Sequence, residues 1–73
     1  MKMTMEAARI NVGLSQKEAA DKLGISRDSL RFYEKYKKSP KIDLAFKMVE
    51  LYKCKIDDII FLPKDIAKSD KAS

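Results

Sequence analysis

The chain has 73 residues, with 16 Lys and Arg against 11 Asp and Glu, so its formal net charge at pH 7 is +5. This length allows one domain with a small core and leaves little room for an enclosed active site. The positive charge favours an anionic partner, although charge alone is weak support because many proteins are basic for solubility.

Several classes of site and location are excluded by composition. The single cysteine, Cys54, cannot form an internal disulfide, and without histidine or a cysteine pair the usual zinc ligands are missing. We therefore expect no metal, cofactor or small-molecule ligand, and no enzyme. The chain also lacks an apolar run of roughly 20 residues and the apolar stretch of a signal peptide, which predicts a cytoplasmic protein without a membrane partner.

In chain order, Thr4 is a candidate N-cap for a first helix over residues 5–12, which Gly13 would end. The segment LSQKEAADKLGISRDSLRFYE then reads as two short helices joined by a tight turn. Ser15 and Glu18 have the spacing of a capping box, which predicts a helix from Gln16.

Gly24 can take the left-handed conformation that ends this helix, and Ser26 can cap the next one. So short a connection makes two helices cross steeply, which is the helix-turn-helix geometry. The small side chain of Ala20 would let them approach closely. The other apolar residues spaced to line the contact are Ala19, Leu23, Ile25, Leu30 and Tyr33.

The second half of the chain predicts two more helices. Asp43 is the expected N-cap of a fourth helix, whose apolar face comprises Leu44, Met48, Leu51 and Tyr52. Residues 56–62 predict a short fifth helix that Pro63 closes, and no segment predicts a pair of strands. We therefore expect one all-α domain over residues 1–63 and a polar, flexible tail over residues 64–73.

Five short helices in this arrangement resemble the lambda-repressor-like DNA-binding domain of phage repressors and Cro, the xenobiotic-response-element family. The resemblance covers about residues 5–62. It is carried by Arg9, Gly13-Leu14-Ser15-Gln16, Ala20, Leu23-Gly24-Ile25-Ser26, Leu30, Tyr33-Glu34, Pro40, Leu44 and Ile56-Asp57-Asp58-Ile59-Ile60. It implies a sequence-specific transcriptional regulator, most simply a small repressor or Cro-like switch. It also implies an ion pair between Arg9 and Glu34, from the first helix to the third.

The chain departs from the family pattern at three positions. Tyr36 stands where a glycine usually follows the third helix, so the turn there is expected to differ. Ala19 replaces a bulky leucine, and Tyr33 or Phe32 would fill the space. Lys55 replaces the usual cap of helix five. The segment KLGISRDSLRFYEK also resembles the recognition helix of mercury-resistance-type regulators, but those proteins start at this motif and continue into a wing and a coiled coil, which this chain does not.

The third helix would read DNA with its outward face. Arg27 has the planar fork for bidentate contact with a guanine, and Arg31 could read a second guanine or hold a phosphate. Asp28 could accept from cytosine, orient Arg31, or simply stabilise the helix start. Phe32 could touch a thymine methyl group or fill the space beside Ala19.

The predicted phosphate contacts are Gln16, Ser26, Lys35, Lys37 and Lys38. The resembled family places its backbone contact at the position of Gln16, and the three lysines follow the recognition helix. Specific binding by so small a domain favours a homodimer on double-stranded DNA, for which the candidate interface is Ile60, Phe61, Leu62 and Pro63. The alternatives are that Phe61 packs under helix one, and that the domain is a protein-interaction module or antitoxin-like partner protein.

Overall fold

The computed structural model describes residues 2–62. Within this range the chain forms four α-helices and one short pair of strands: β1 (Met3–Thr4), α1 (Met5–Asn11), α2 (Gln16–Leu23), α3 (Arg27–Glu34), α4 (Ile42–Tyr52) and β2 (Ile59–Ile60). A 3₁₀ turn, Ile56–Asp58, connects α4 to β2. Pro63 and the predicted tail, residues 64–73, lie outside the described residues.

The first three helices begin at the caps that the sequence predicts. The Thr4 hydroxyl accepts from an amide in the first turn of α1 at 3.1 Å. Ser15 and Glu18 form a complete capping box, with the Glu18 amide donating to Ser15 Oγ at 3.1 Å and the Ser15 amide donating to the Glu18 carboxylate at 2.9 Å. The bond from the Ser15 amide is the main cause of a lowered pKa at Glu18. The Ser26 hydroxyl caps α3 by accepting from the Ser29 amide at 3.0 Å.

All four helices end in the same backbone motif, with one residue in the left-handed conformation. These residues are Gly13 (φ 75°), Gly24 (φ 77°), Tyr36 (φ 61°) and Lys53 (φ 58°). In each case the next amide donates to the carbonyl five residues back, as Lys37 does to Phe32 at 2.9 Å and Cys54 does to Val49 at 3.1 Å. Left-handed backbone costs a residue with a side chain roughly 1–2 kcal/mol. The domain therefore accepts at Tyr36 and Lys53 a strain that glycine would avoid.

The core forms where the helix-turn-helix packs against α1 and α4. Its fully buried large side chains are Met5, Leu30 and Met48. Ala19 and Ala20 are also buried, as the predicted close approach of α2 and α3 requires. Tyr33 packs against this core, whereas Phe32 is 40% exposed. Phe32 therefore lies on the surface and does not fill the space beside Ala19.

The prediction of a fifth helix is wrong, and so is the prediction that no strands pair. The chain from Ile59 runs extended beside the N-terminus, with Met3 opposite Ile59 and Thr4 opposite Ile60 in a parallel register. β-Branched isoleucines suit extended backbone, and the free edge of β1 supplies the partner. Lys55 has no side-chain hydroxyl that could cap a helix, and only the short 3₁₀ turn follows it. In that turn the Lys55 amide donates to the Asp58 carboxylate at 3.0 Å.

The N-terminus of α4 also differs from the prediction. The helix begins at Ile42, directly after an extended Lys41, and no side chain caps it. Asp43 is therefore not the N-cap but a first-turn residue, where its charge suits the positive end of the helix dipole. The predicted apolar face is confirmed, since Met48 and Tyr52 are buried and Leu44 and Leu51 pack against the core.

Candidate nucleic-acid interface

One face of α3 is held in the core and the opposite face is open. Leu30 is buried on the inner face together with Glu34. The outer face carries the four side chains predicted to read bases, all of them exposed: Arg27, Asp28, Arg31 and Phe32. We call these four residues the reading face. It contains two guanidinium groups, one carboxylate and one aromatic ring, which are the groups that hydrogen bond or pack against base edges.

Asp28 and Arg31 lie one helical turn apart on the reading face and form an ion pair. The distance from Asp28 Oδ1 to an Arg31 guanidinium nitrogen is 3.8 Å, and both side chains are exposed. Such a pair adds little stability in water. Its consequence is geometric, because the carboxylate draws the Arg31 guanidinium toward the N-terminal half of α3.

The residues predicted to contact phosphate lie at both ends of α3. At the N-terminal end, Ser26 Oγ accepts from the Ser29 amide and donates to the Ser29 hydroxyl at 3.0 Å. At the C-terminal end, Lys35, Lys37 and Lys38 are all exposed. The ammonium of Lys38 lies 5.7 Å from the centre of the Tyr33 ring, within the range of a cation–π contact.

Gln16, the remaining predicted phosphate contact, turns its side chain inward. Its Nε2 donates to Glu34 Oε1 at 3.0 Å, and the residue is partly buried. The amide group keeps a second N–H and its oxygen for another partner. Gln16 therefore connects the start of α2 to the end of α3, and phosphate contact there stays a prediction.

Glu34 is also the partner of Arg9, and both side chains are buried. Arg9 Nε donates to Glu34 Oε2 at 2.7 Å, and a terminal nitrogen donates to Oε1 at 3.2 Å. The other terminal nitrogen donates to the carbonyl of Leu14 at 2.7 Å. The hydrogen bond with Glu34 raises the pKa of Arg9, against the opposing effect of burial. These bonds hold α3 against α1 and the start of α2.

Tyr36 has a role that the sequence did not predict. The turn after α3 keeps left-handed backbone although a tyrosine occupies it, so the expected difference in turn geometry is not found. The Tyr36 hydroxyl donates to the carbonyl of Ile60 and accepts from the amide of Met5. A bulky aromatic residue at a position where the resembled family has glycine was the available signal, because such a residue needs contacts that offset its backbone strain.

The predicted dimer segment is partly occupied within the domain. Ile60 and Phe61 are half-buried, and Phe61 packs against the core, while Leu62 is 38% exposed. Pro63 lies outside the described residues. Other large apolar side chains are exposed as well, among them Ile42 and Phe46 on α4, with Phe46 at 55%.

No helix within residues 2–62 is long and apolar enough to cross a membrane. In the described part of the chain, no three or more His, Cys, Asp or Glu residues are grouped in a way that could hold a metal ion.

Comparison with known proteins identifies the same part of the chain. A family model described as helix-turn-helix matches residues 5–59. An uncharacterised HTH-type transcriptional regulator of Methanocaldococcus jannaschii is 37% identical over 65 residues, which are 89% of this chain and 98% of that protein. A similarly described regulator of Archaeoglobus fulgidus is 32% identical over 59 residues, covering 81% of this chain and 84% of the relative.

A bacterial relative is similar over a shorter part of its own length. The HTH-type transcriptional regulator ImmR of Bacillus subtilis is 36% identical over 56 residues, which are 77% of this chain and 44% of ImmR. No solved structure matches the chain significantly.

Proposed function

Because this chain belongs to the Cro/C1-type helix-turn-helix family of DNA-binding transcriptional regulators, we propose that it acts as a small repressor that occupies an operator in double-stranded DNA. The observation that carries the proposal is the reading face of α3. Its four side chains are exposed together, while the opposite face of the same helix is packed in the core.

In the proposed complex α3 enters the major groove with its N-terminal residues against the base edges. Arg27 makes a bidentate contact with guanine O6 and N7, and is the main determinant of DNA sequence specificity. Asp28 orients Arg31, as their 3.8 Å approach supports, and Arg31 reads a second guanine or holds a phosphate. Phe32 contacts a thymine methyl group, for which its surface position is suitable.

Phosphate contacts fix the register of the domain on DNA. We assign them to Ser26, the amide group of Gln16 and the lysines that follow α3: Lys35, Lys37 and Lys38. Backbone contacts of this kind strengthen binding to all sequences and select none. Since α1, α2 and α3 meet at Glu34, the side chain of Gln16 is held in a defined place relative to the recognition helix.

The functional unit in this proposal is a homodimer. A single domain of this kind buries little surface on DNA, and two-fold partners place their recognition helices about one turn apart, roughly 34 Å. The apolar segment Ile60–Leu62, which we call the C-terminal segment, is the proposed interface; Leu62 is its most exposed member. A regulator that occupies bacterial or archaeal operators would work in the cytoplasm, where the DNA is.

Selection of bound sequences from random double-stranded DNA tests this function directly. We expect a palindromic consensus with half-sites one helical turn apart, bound by two protomers, with affinity that falls steeply as salt rises. A variant without the reading guanidinium, Arg27→Ala, should lose the consensus. If no sequence is enriched while the folded protein copurifies with another protein, the chain is an interaction module and the proposal fails.

A further inference from the structure

The turn that ends the recognition helix is built on a strained tyrosine. Tyr36 has φ 61°, its amide donates to the Tyr33 carbonyl at 3.0 Å, and the next amide, of Lys37, donates to Phe32 at 2.9 Å. Glycine satisfies this motif without strain. The tyrosine side chain, in contrast to a glycine, makes two hydrogen bonds from this position.

Those contacts reach the opposite ends of the described chain. The Tyr36 hydroxyl accepts from the amide of Met5, the first residue of α1, at 3.4 Å. It donates to the carbonyl of Ile60, the last residue of β2. Thr4, directly before Met5, is paired with Ile60 in the parallel sheet. One hydroxyl thus bonds to both segments that meet in the β1–β2 sheet.

This side chain lies between two parts of the proposed DNA complex. Lys35 and Lys37 flank Tyr36 in sequence and are exposed at the end of α3. On the other side, Ile60 begins the C-terminal segment. We propose that Tyr36 is a positioning residue that holds the end of the recognition helix at a set place against the sheet, and so determines the separation of the two recognition helices in a dimer. The inference rests on the homodimer proposed above.

The C-terminal segment begins at the last residue of β2, a strand of only two residues, which by itself has little rigidity. A hydrogen bond from the body of the domain to the carbonyl of Ile60 removes freedom just where the segment leaves the sheet. Without it, α3 and the proposed interface would be connected less directly, through the packing of Ile59 and Phe61 on the core.

The test uses the full chain and two variants that each lose one phenol hydroxyl. Tyr36→Phe removes the group that joins α3 to the sheet. Tyr52→Phe is the matched control, because the Tyr52 hydroxyl is buried and has no hydrogen-bond partner among residues 2–62. Should Tyr36→Phe fail to fold by circular dichroism, Tyr36→Gly takes its place, because glycine removes the hydroxyl and relieves the backbone strain.

The first measurement is the preference for half-site spacing. Palindromes are built from the half-site that wild type selects, with the spacing changed by single base pairs. We expect wild type and Tyr52→Phe to bind one spacing more tightly than the others. For Tyr36→Phe, the ratio of the affinity for that spacing to the affinity for the others should fall about fivefold, the factor that a net hydrogen bond of ordinary strength contributes. Affinity for a single half-site should be unchanged. A spacing profile identical to wild type would overturn the inference.

The second measurement separates this inference from the homodimer. Amide hydrogen exchange of Ile59, Ile60 and Phe61 is compared with and without a single half-site duplex, so that each variant is its own reference. We expect DNA to slow exchange there in wild type and Tyr52→Phe, and not in the Tyr36 variant. If wild type binds DNA only as a monomer, the homodimer proposal fails and this measurement decides: equal slowing in all three proteins, or none in wild type, refutes positioning by Tyr36.

Discussion

Arg9 Nε lies 2.7 Å from Glu34 Oε2 across the junction of α1 and α3, and the two side chains are only 8% and 3% exposed. Gln16 and the Leu14 carbonyl bond to the same pair, so the buried charges are well satisfied by hydrogen bonds. A buried pair with such geometry orients the elements that it joins, but it adds less net stability than its short distances suggest, because both ions lose their hydration.

Removing one member of the pair should destabilise the domain more than removing both. Arg9→Met leaves a buried carboxylate unpaired and should lower the free energy of unfolding by about 3–5 kcal/mol. The double variant Arg9→Met with Glu34→Leu should recover most of that loss. Urea denaturation, followed by circular dichroism, measures the free energy of unfolding of wild type, the single variant and the double variant. A double variant as unstable as the single one would show that the pair itself is a net source of stability.

Tyr52→Phe should leave stability unchanged or raise it by about 1 kcal/mol. The hydroxyl of Tyr52 is buried without a hydrogen-bond partner among residues 2–62. Burying such a group loses its hydrogen bonds to water, and no bond within the domain offsets that loss. Tyr36→Phe, which removes a bonded hydroxyl, should instead lower the free energy of unfolding by about 1 kcal/mol. The urea midpoint should therefore stay the same or rise for Tyr52→Phe, and should fall for Tyr36→Phe.

Tyr52 should make the free energy of unfolding of the domain fall at alkaline pH. Burial, with a smaller contribution from the negative charge of Glu34, raises the pKa of Tyr52 from 10.0 to about 12. Because the pKa of this phenol is higher in the folded state than in the unfolded state, the stability of wild type does not change with its ionisation below pH 10 and falls as pH rises to about 12. The stability of wild type relative to Tyr52→Phe should therefore fall over that window, so that the advantage of the variant grows, and a constant difference would contradict this prediction.

Lys53→Gly should stabilise the domain by about 1 kcal/mol, because Lys53 is exposed and holds left-handed backbone at the end of α4. Gly24→Ala is the opposite control. A Cβ there would meet no atom within 4 Å, so its cost comes from the φ of 77° alone. Thermal unfolding should show a melting temperature several degrees higher for Lys53→Gly and lower for Gly24→Ala, by about 4–8 °C per kcal/mol in a domain of this size.

Arg27 and Lys37 should affect DNA binding in different ways. Arg27→Ala should cost about 1–3 kcal/mol on the selected operator and much less on unrelated DNA. Lys37→Ala should weaken binding to both by a similar factor and reduce the slope of log affinity against log salt by about 1. Titration of labelled duplexes at several salt concentrations separates the two patterns. Equal loss on both DNAs for Arg27→Ala would remove it from base recognition.

Leu62→Asp should weaken self-association while preserving the fold, since Leu62 is the most exposed described residue of the C-terminal segment. Phe61 is less suitable for this test because it also packs against the core. Phe46→Asp, on the exposed side of α4, is the matched control. Sedimentation on operator DNA should show loss of the second protomer for Leu62→Asp only. If Phe46→Asp alone abolishes the dimer, the interface lies on α4.

The local features of this domain could be read from sequence because each depends on neighbours a few residues away. Ser15 and Glu18 specify where α2 begins, and Gly24 with Ser26 specifies the turn into α3. The apolar spacing of the helix-turn-helix then leaves Arg27, Asp28, Arg31 and Phe32 on its outer side. Resemblance to the family added the pairing of Arg9 with Glu34, which no local pattern reveals.

Contacts between distant parts of the chain decided the rest. Ile59 and Ile60 form a strand and not a helix because Met3 and Thr4 lie alongside them, an arrangement without a signal in either segment alone. Gln16 bonds to Glu34, and Tyr36 to Met5 and Ile60, only because packing of the core brings these residues together. Hydrogen bonds such as these require the folded arrangement of helices first, since a two-residue strand or a strained tyrosine is unstable without its partners.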